Sequence, residues 1–368
     1  MNSDVKYMKR ALTLAKKGVG KTTPNPAVGC VIVKDGIIIG EGWHKKAGEP
    51  HAETNALAMA GDLARGADVY VTLEPCCHSG KTPPCSEALI RAGVRRVVAG
   101  MSDPNPQVNG GGLHALQLSG IETQCGVLED ECRAINQAFI KHISTGIPFV
   151  TYKCAMTLDG NIATLTGESR WISCDESRKY VHRMRSQMDA IMVGVDTVIA
   201  DNPLLTVRHI RGKNPLRVIV DTRLRTPESV NVLNGQLSSK TIIATTESNP
   251  RVHLRYLQQG ATILVCDEFD GRVCMKDLLK KLGEMGVQSI LLEGGSRLAG
   301  NMLQLGMIDE LVFFVAPKVI GSNGFAPFTL MGGITSMAQA IRLEFTDVCR
   351  IGSDIVVTAR PERICSPD

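Results

Sequence analysis

Along the first 150 residues the spacing of apolar positions changes register several times. Met1 to Gly20 interleaves Lys6, Lys9, Arg10, Lys16 and Lys17 with short apolar steps, which predicts an amphipathic first helix rather than the continuous apolar stretch of a secretion signal. Val28 to Val33 and Ile37 to Glu41 then flank Asp35-Gly36, the pattern of two antiparallel strands joined by a two-residue turn. Just after Pro50 a helix is predicted, with Ala56, Leu57, Ala60, Leu63 and Ala64 on one face. Asp68 to Leu73 reads as a strand, Ser86 to Ala92 as a helix opened by Pro83-Pro84, and Arg95 to Gly100 as another strand. This alternation predicts a sheet with helices on both faces.

The alternation pauses between Lys141 and Pro148, where Ser144-Thr145-Gly146 and Pro148 mark a linker and divide the chain into residues 1–145 and 146–368. Beyond it, Phe149 to Met156 is a strand, and Ser173 with Glu176 is expected to form a capping box for a helix running through Gln187. Asp189 to Val195, Arg217 to Asp221, Thr241 to Thr245, Ala261 to Val265 and Ser289 to Leu292 read as further strands, several followed by helical stretches. The expectation is a second α/β domain with a largely parallel sheet.

A length of 368 residues is long for one core, so two domains are expected on size as well. No run of about 18 apolar residues occurs, which argues against a membrane span. The net charge of +4 is dispersed, so the chain lacks the basic stripe of a nucleic-acid surface while leaving phosphorylated small molecules open as ligands. Twelve cysteines without a signal-like N-terminus point to reduced thiols or metal ligands, and a cytoplasmic location is expected. Cys30, Cys125, Cys132, Cys154, Cys266 and Cys274 sit in apolar surroundings and are expected to be packed thiols.

Three short segments carry the chemistry: Pro50-His51-Ala52-Glu53, Pro75-Cys76 and Pro84-Cys85. One His and two Cys, with a Glu two residues after the His, is the pattern by which zinc deaminases hold Zn²⁺ and keep a proton carrier off the metal. Three protein ligands leave the fourth tetrahedral position to water, as a catalytic site requires. His51 and Cys85 are both predicted in first helical turns, where free N–H groups favour a thiolate. A closed structural site would want a fourth ligand, for which Cys77 is the candidate, and would leave Glu53 without a role. Eight residues, Cys77 to Pro84, separate Cys76 from Cys85, where nucleic-acid and free-cytidine deaminases have two. The longer loop points to a different substrate, and its His78 and Lys81 are suited to a phosphorylated nucleotide.

With these segments in view, the chain resembles the bifunctional diaminohydroxyphosphoribosylaminopyrimidine deaminases and 5-amino-6-(5-phosphoribosylamino)uracil reductases of bacterial riboflavin synthesis. The resemblance rests on Thr23 to Gly29, Gly48 to Glu53, Thr72 to Cys76 and Asp103 to Pro106 in the first half, and on Lys153 to Gly160, Gly167 to Ile172, Ala200 to Pro203 and Glu293 to Gly295 in the second. It implies a cytidine-deaminase-like α/β/α domain followed by a dihydrofolate-reductase-like α/β domain, one Zn²⁺ per chain, NADPH, a pyrimidine ribosyl phosphate substrate and a homo-oligomer. By the same resemblance His51, Cys76 and Cys85 hold the metal and Glu53 is catalytic, with Asn25, His44, His78 and Lys81 holding the first substrate. Ala155, Trp171, Thr197, Asp201, Thr222 and Gly294-Gly295 would contact NADPH; Ser169, Arg185, Leu205, Arg208 and Glu293 would contact the second substrate. The residues alone support this second half more thinly. There is no G-x-G-x-x-G, and a strand followed by Gly294-Gly295 and a helix is equally a plain chain reversal.

A nucleic-acid deaminase, acting for instance on tRNA through a C-terminal binding domain, is the main alternative. It would want clustered Lys and Arg with exposed aromatics for stacking, whereas aromatic residues are 4% of this chain. A non-catalytic zinc-stabilised assembly protein is the other, with ammonia release as the discriminating measurement.

Overall fold

A computed structural model describes residues 3–77, 83–105, 108, 110–234, 239–321 and 323–362. The chain divides into two compact units, residues 1–147 and 148–368.

Unit 1 contains strands β1 (Gly29–Lys34), β2 (Ile37–Trp43), β3 (Asp68–Val71), β4 (Arg96–Ala99) and β5 (Glu122–Cys125), and helices α1 (Ser3–Ala15), α2 (Ala52–Ala60), α3 (Cys85–Ala92), α4 (Gly111–Leu118), α5 (Glu129–Ile135) and α6 (Gln137–Thr145). The strands form one sheet in the order β2-β1-β3-β4-β5, antiparallel across β1 and parallel from β3 to β5. Asp35 and Gly36 both take positive φ, 51° and 79°, as the two-residue turn between β1 and β2 requires. Helix α1 buries Met8, Ala11, Leu12 and Ala15 against the sheet, which is the apolar stripe its sequence pattern predicts.

Helix α2 sits directly on β2. A Cβ on Gly42 would stand 2.2 Å from the carbonyl oxygen of Ala52, so only glycine lets strand and helix backbones approach this closely. Ala56, Ala60 and Ala64 are buried as expected, but Leu63 is 58% exposed. The chain tightens into a 3₁₀ turn over Gly61–Ala64, and the change of pitch swings Leu63 out of the apolar stripe. Residues 141–145, expected as linker, complete α6, which ends at Gly146 with φ 71°. Of the expected packed thiols, Cys30, Cys132, Cys154 and Cys266 are buried. Cys125 is exposed because β5 is an edge strand, and Cys274 is half-buried.

Unit 2 contains strands β6 (Phe149–Thr157), β7 (Ala190–Gly194), β8 (Leu216–Val220), β9 (Thr241–Thr245), β10 (Thr262–Val265), β11 (Glu268–Phe269), β12 (Arg272–Val273), β13 (Ser289–Glu293), β14 (Glu310–Ala316), β15 (Leu343–Ile351) and β16 (Asp354–Pro361). Its helices are α7 (Asp175–Gln187), α8 (Val195–Asp201), α9 (Pro250–Leu257), α10 (Met275–Glu284) and α11 (Ser296–Gln304). Nine strands form one sheet, β10-β9-β8-β7-β13-β6-β14-β16-β15, parallel from β10 to β14 and antiparallel only at β14-β16-β15. The expectation of a largely parallel sheet is borne out. β11 and β12 form a separate hairpin. The inner parallel strands are buried nearly throughout, β9 and β13 completely, as strands covered on both faces must be, whereas the edge strand β10 is not. The capping box at Ser173 and Glu176 does not form. Helix α7 starts one residue later, Cys174 occupies the N-cap without a side-chain bond, and its backbone N–H donates instead to Asp354 Oδ2 at 2.9 Å. No described helix is long and apolar enough to cross a membrane.

Candidate functional site

In unit 1 the sheet, α2 and α3 bring the three predicted ligands together. His51 is the N-cap of α2, Cys85 opens α3, and Cys76 lies in the segment leaving β3. His51 Nδ1 is 3.3 Å from Cys85 Sγ and 3.7 Å from Cys76 Sγ. All three ligand atoms lie within 4.8 Å of one another. A tetrahedral ion with bonds of about 2.1 Å to nitrogen and 2.3 Å to sulfur needs N-to-S separations of roughly 3.6 Å, so the donor set fits zinc in both type and size. Among the described residues this is the one His/Cys/Asp/Glu cluster of its kind.

Electrostatics divide the two thiols. Hydrogen bonds from the Cys85 thiol, His51 and the Cys85 backbone N–H outweigh burial and pull Cys76 well below the usual thiol range. Cys85, whose thiol serves Cys76 and which is buried close to Glu53, is pushed far up. His51 is raised by its bond to Cys76. Glu53, in the first turn of α2 and 3% exposed, is raised by burial to about 7, and its side chain reaches Cys85. The sequence predicted this offset: two residues after the N-cap His, the carboxylate returns to the same end of the helix.

A cavity of about 350 Å³ opens onto these groups, lined by Asn25, His44, His51, Glu53 and Cys76 among others. His44 is held by both nitrogens, with Nδ1 donating to the Pro50 carbonyl at 3.2 Å and Nε2 accepting from Asn25 Nδ2 at 3.0 Å. Pro50 offers only an oxygen, which fixes the tautomer and leaves the Asn25 oxygen as the end not used by His44. Burial lowers the His44 pKa. His78 and Lys81 lie outside the described residues. Phe139, Glu49 and Asp103 also line the cavity without having been singled out for a role; Asp103 at least stands in a motif the sequence displayed.

Unit 2 holds a larger cavity, about 670 Å³, at the carboxyl ends of its parallel strands. Ala155, Ser169, Trp171, Arg185, Thr197, Asp201, Leu205, Arg208, Glu293, Gly294 and Gly295 all line it. Thr222 does not. Its hydroxyl accepts from Val273 N at 3.4 Å and its carbonyl accepts from Thr245 and Thr246, so it is turned toward the end of β9 and the β11–β12 hairpin.

Gly294 and Gly295 lead from β13 into α11 with φ of 72° and 77°. A Cβ on Gly294 would lie 3.2 Å from the Thr197 side chain, so the turn is a bare-backbone cradle at a helix N-terminus, suited to a phosphate. Arg185 is tied up: Nε and Nη2 grip Glu293, and Nη1 donates to the Thr206 carbonyl at 3.2 Å. Arg208 spends Nη1 on the Thr206 hydroxyl, and its backbone N–H donates to His182 Nδ1 at 3.0 Å. The segment from α8 to Arg208 bends through Asn202 and Leu205 in left-handed conformations, with Leu205 buried. Trp171 is 63% exposed, with the Arg178 guanidinium 4.5 Å from its ring centre. His182 and Arg178 line the cavity but were not predicted; His182 stands one turn before Arg185 on α7, which was the available signal.

Comparison with known proteins finds relatives for both units. Residues 1–101 match the family model described as the cytidine and deoxycytidylate deaminase zinc-binding region, and residues 148–357 match the RibD C-terminal domain. The chain is 45% identical to the riboflavin biosynthesis protein RibD of Actinobacillus pleuropneumoniae, over 96% of this chain and 94% of that one. It is 42% identical to RibD of Escherichia coli, over 96% and 98%. Among solved structures, RibD of Acinetobacter baumannii superposes with a TM-score of 0.88 at 40% identity, covering 98% of this chain and 99% of that one. A diaminohydroxyphosphoribosylaminopyrimidine deaminase/5-amino-6-(5-phosphoribosylamino)uracil reductase from Thermotoga maritima gives 0.86 at 37% identity, with the same coverage. Unit 1 is thus cytidine-deaminase-like and unit 2 dihydrofolate-reductase-like. The chain belongs to the RibD family of bifunctional deaminase–reductases of riboflavin biosynthesis.

Proposed function

We propose that unit 1 hydrolytically deaminates 2,5-diamino-6-(5-phosphoribosylamino)pyrimidin-4-one and that unit 2 then reduces the ribosyl group of the resulting uracil to ribityl with NADPH. The observation that carries the first half is the convergence of His51, Cys76 and Cys85 beside the buried carboxylate of Glu53. His51, Cys76 and Cys85 would hold a zinc ion, which would supply Lewis acidity at this place. Glu53 would take a proton from the attacking water and hand it to the departing amine, which its place on α2 beside the three residues allows. Asn25, fixed by His44, orients the pyrimidine, and His78 and Lys81 take its phosphate.

In unit 2 the Gly294-Gly295 cradle and Thr197 receive a cofactor phosphate, with Ala155, Trp171 and Asp201 along the rest of the cofactor. NADPH supplies the hydride. Because Arg185 is engaged by Glu293 and Thr206, Arg208 is the guanidinium that meets the substrate phosphate, while Ser169 and Leu205 shape the wall. Thr222, directed elsewhere, is at most an outer contact. The dispersed charge and the 4% aromatic content support free nucleotides rather than nucleic acid as substrates; a cytoplasmic location and a homo-oligomer complete the reading, as the family resemblance implies.

The test follows ammonia release and then NADPH absorbance in the zinc-loaded protein supplied with the diaminopyrimidinone ribosyl phosphate. Ammonia first and NADPH loss afterwards supports both halves and their order. No ammonia with zinc bound overturns the substrate.

A further inference from the structure

One side chain ties the metal-ligand segment to the segment that brings Asp103 and Asn105 to the unit 1 cavity. Glu74 is 3% exposed and stands two residues before Cys76. Its Oε2 accepts from the backbone N–H groups of Asp103 at 3.1 Å and Gly110 at 2.9 Å, and its Oε1 from Gly112 at 3.0 Å and Leu113 at 3.2 Å. All four donors belong to residues 103–113, the segment that contributes Asp103 and Asn105 to the cavity wall. A second contact joins the same two segments. A Cβ on Gly112 would stand 1.8 Å from the Pro75 carbonyl oxygen, so the first turn of α4 lies against the backbone that delivers Cys76.

An ordinary helix cap is local, whereas the N-cap of α4 is Gly110, which has no side chain, and the acceptor arrives from 36 to 39 residues upstream. A carboxylate suits this place because both oxygens only accept; an amide there would aim a donor at two of the four N–H groups.

We propose that Glu74 is a positioning residue of the deamination, setting the distance between the metal ligands and the Asp103–Asn105 wall and so the width of the slot that receives the pyrimidine. This rests on the reading that His51, Cys76 and Cys85 hold the metal. Gly112 is the other jaw of the same clamp. Glu74 borders the cavity, yet both of its carboxylate oxygens are taken up by backbone N–H groups, so its removal is felt in substrate capture more than in turnover.

The experiment uses the full-length Glu74→Gln protein. It measures zinc content, kcat and KM for ammonia release, and NADPH oxidation with the deaminated intermediate supplied directly. Expected are undiminished zinc, an unchanged reductase, a KM raised on the order of ten-fold and a kcat within about three-fold of the parent. Unchanged KM overturns the proposal, as does loss of zinc in step with activity, which would make Glu74 part of the metal scaffold alone. Should E74Q lose both activities and fail to fold, Glu74→Asp decides. It keeps the charge with a shorter reach, so a raised KM with zinc retained supports the clamp and an unchanged KM refutes it. Gly112→Ala pushes from the other side, and an unchanged KM there also counts against it. Cys76→Ser, run in parallel, separates the two readings. If it keeps its zinc the metal assignment itself is wrong; if it loses zinc while E74Q behaves like the parent, only the clamp is.

Discussion

Arg185 and Glu293 meet side-on, Nε to Oε1 and Nη2 to Oε2 both at 2.7 Å, with only 12% and 11% of their side chains exposed. The pair joins α7 to the last residue of β13, the residue before the Gly294-Gly295 cradle, so one ion pair anchors the strand end from which that turn leaves.

Glu293→Gln leaves the Arg185 guanidinium buried without its counter-charge, and breaking such a pair costs about 3–5 kcal/mol. Denaturant unfolding of unit 2 in E293Q is expected to show a loss of that order. Burial alone would raise the Glu293 carboxyl, but Arg185 outweighs it and holds it at about 2, against 4.5 when unfolded. The stabilisation is therefore present in full above pH 4.5 and lost as pH falls toward 2, and E293Q should lack this acid-dependent component.

His182 gives a second pH signature in a different window. Burial, with Arg185, Arg208 and His209 around it, lowers its pKa from 6.5 to about 4 despite the opposing charge of Glu293. Between these values the unfolded chain binds the extra proton, so unit 2 loses stability as pH drops from 6.5 to 4. His182→Asn keeps an acceptor for the Arg208 N–H and removes the titration; its denaturation midpoint should vary less across that interval than the parent's.

Glu53→Gln preserves the shape of the buried carboxyl while removing its proton transfer. Ammonia release should fall by about 10²-fold or more, with zinc content and reduction of the supplied intermediate unchanged. Ammonia release at parental rate would reassign the proton carrier.

Stripping zinc with a chelator should abolish ammonia release and leave NADPH oxidation on the supplied intermediate intact, with zinc re-addition restoring the first activity. Loss of both activities would show that unit 2 depends on the metal.

Gly294→Ala forces an L residue into φ 72° and presses a methyl toward Thr197. A cost of about 1–2 kcal/mol is expected, read as a weaker NADPH Kd by calorimetry rather than as a change in deamination.

The metal site was legible because zinc chemistry demands particular residue types, and His51, Glu53, Cys76 and Cys85 announce themselves beside Pro50, Pro75 and Pro84. The Asp35-Gly36 turn and the buried parallel strands were legible for the same reason: a conformation or an environment admits few residues. Glu74 was not, since its four partners lie 29 to 39 residues away and no local pattern records them. Nor was the exposure of Leu63, which depends on a change of helical pitch, or the start of α7, where Asp354 from a distant strand takes over the capping that Ser173 and Glu176 were expected to perform. The role of Arg185 changed most. Sequence offered a free guanidinium, and the fold committed it to Glu293.

The contact of Gly42 with Ala52 has a consequence for how this enzyme can vary. His51 and Glu53 ride at one end of a helix whose backbone is seated on the strand at Gly40 and Gly42, with Asn55 bonded to the Trp43 carbonyl beside it. A substitution beneath that helix moves the imidazole and the carboxylate together, as a rigid tool, and leaves their mutual spacing alone. Sequence drift can shift the whole instrument relative to Cys76 and Cys85, which arrive on other segments, but it cannot retune its two working parts independently.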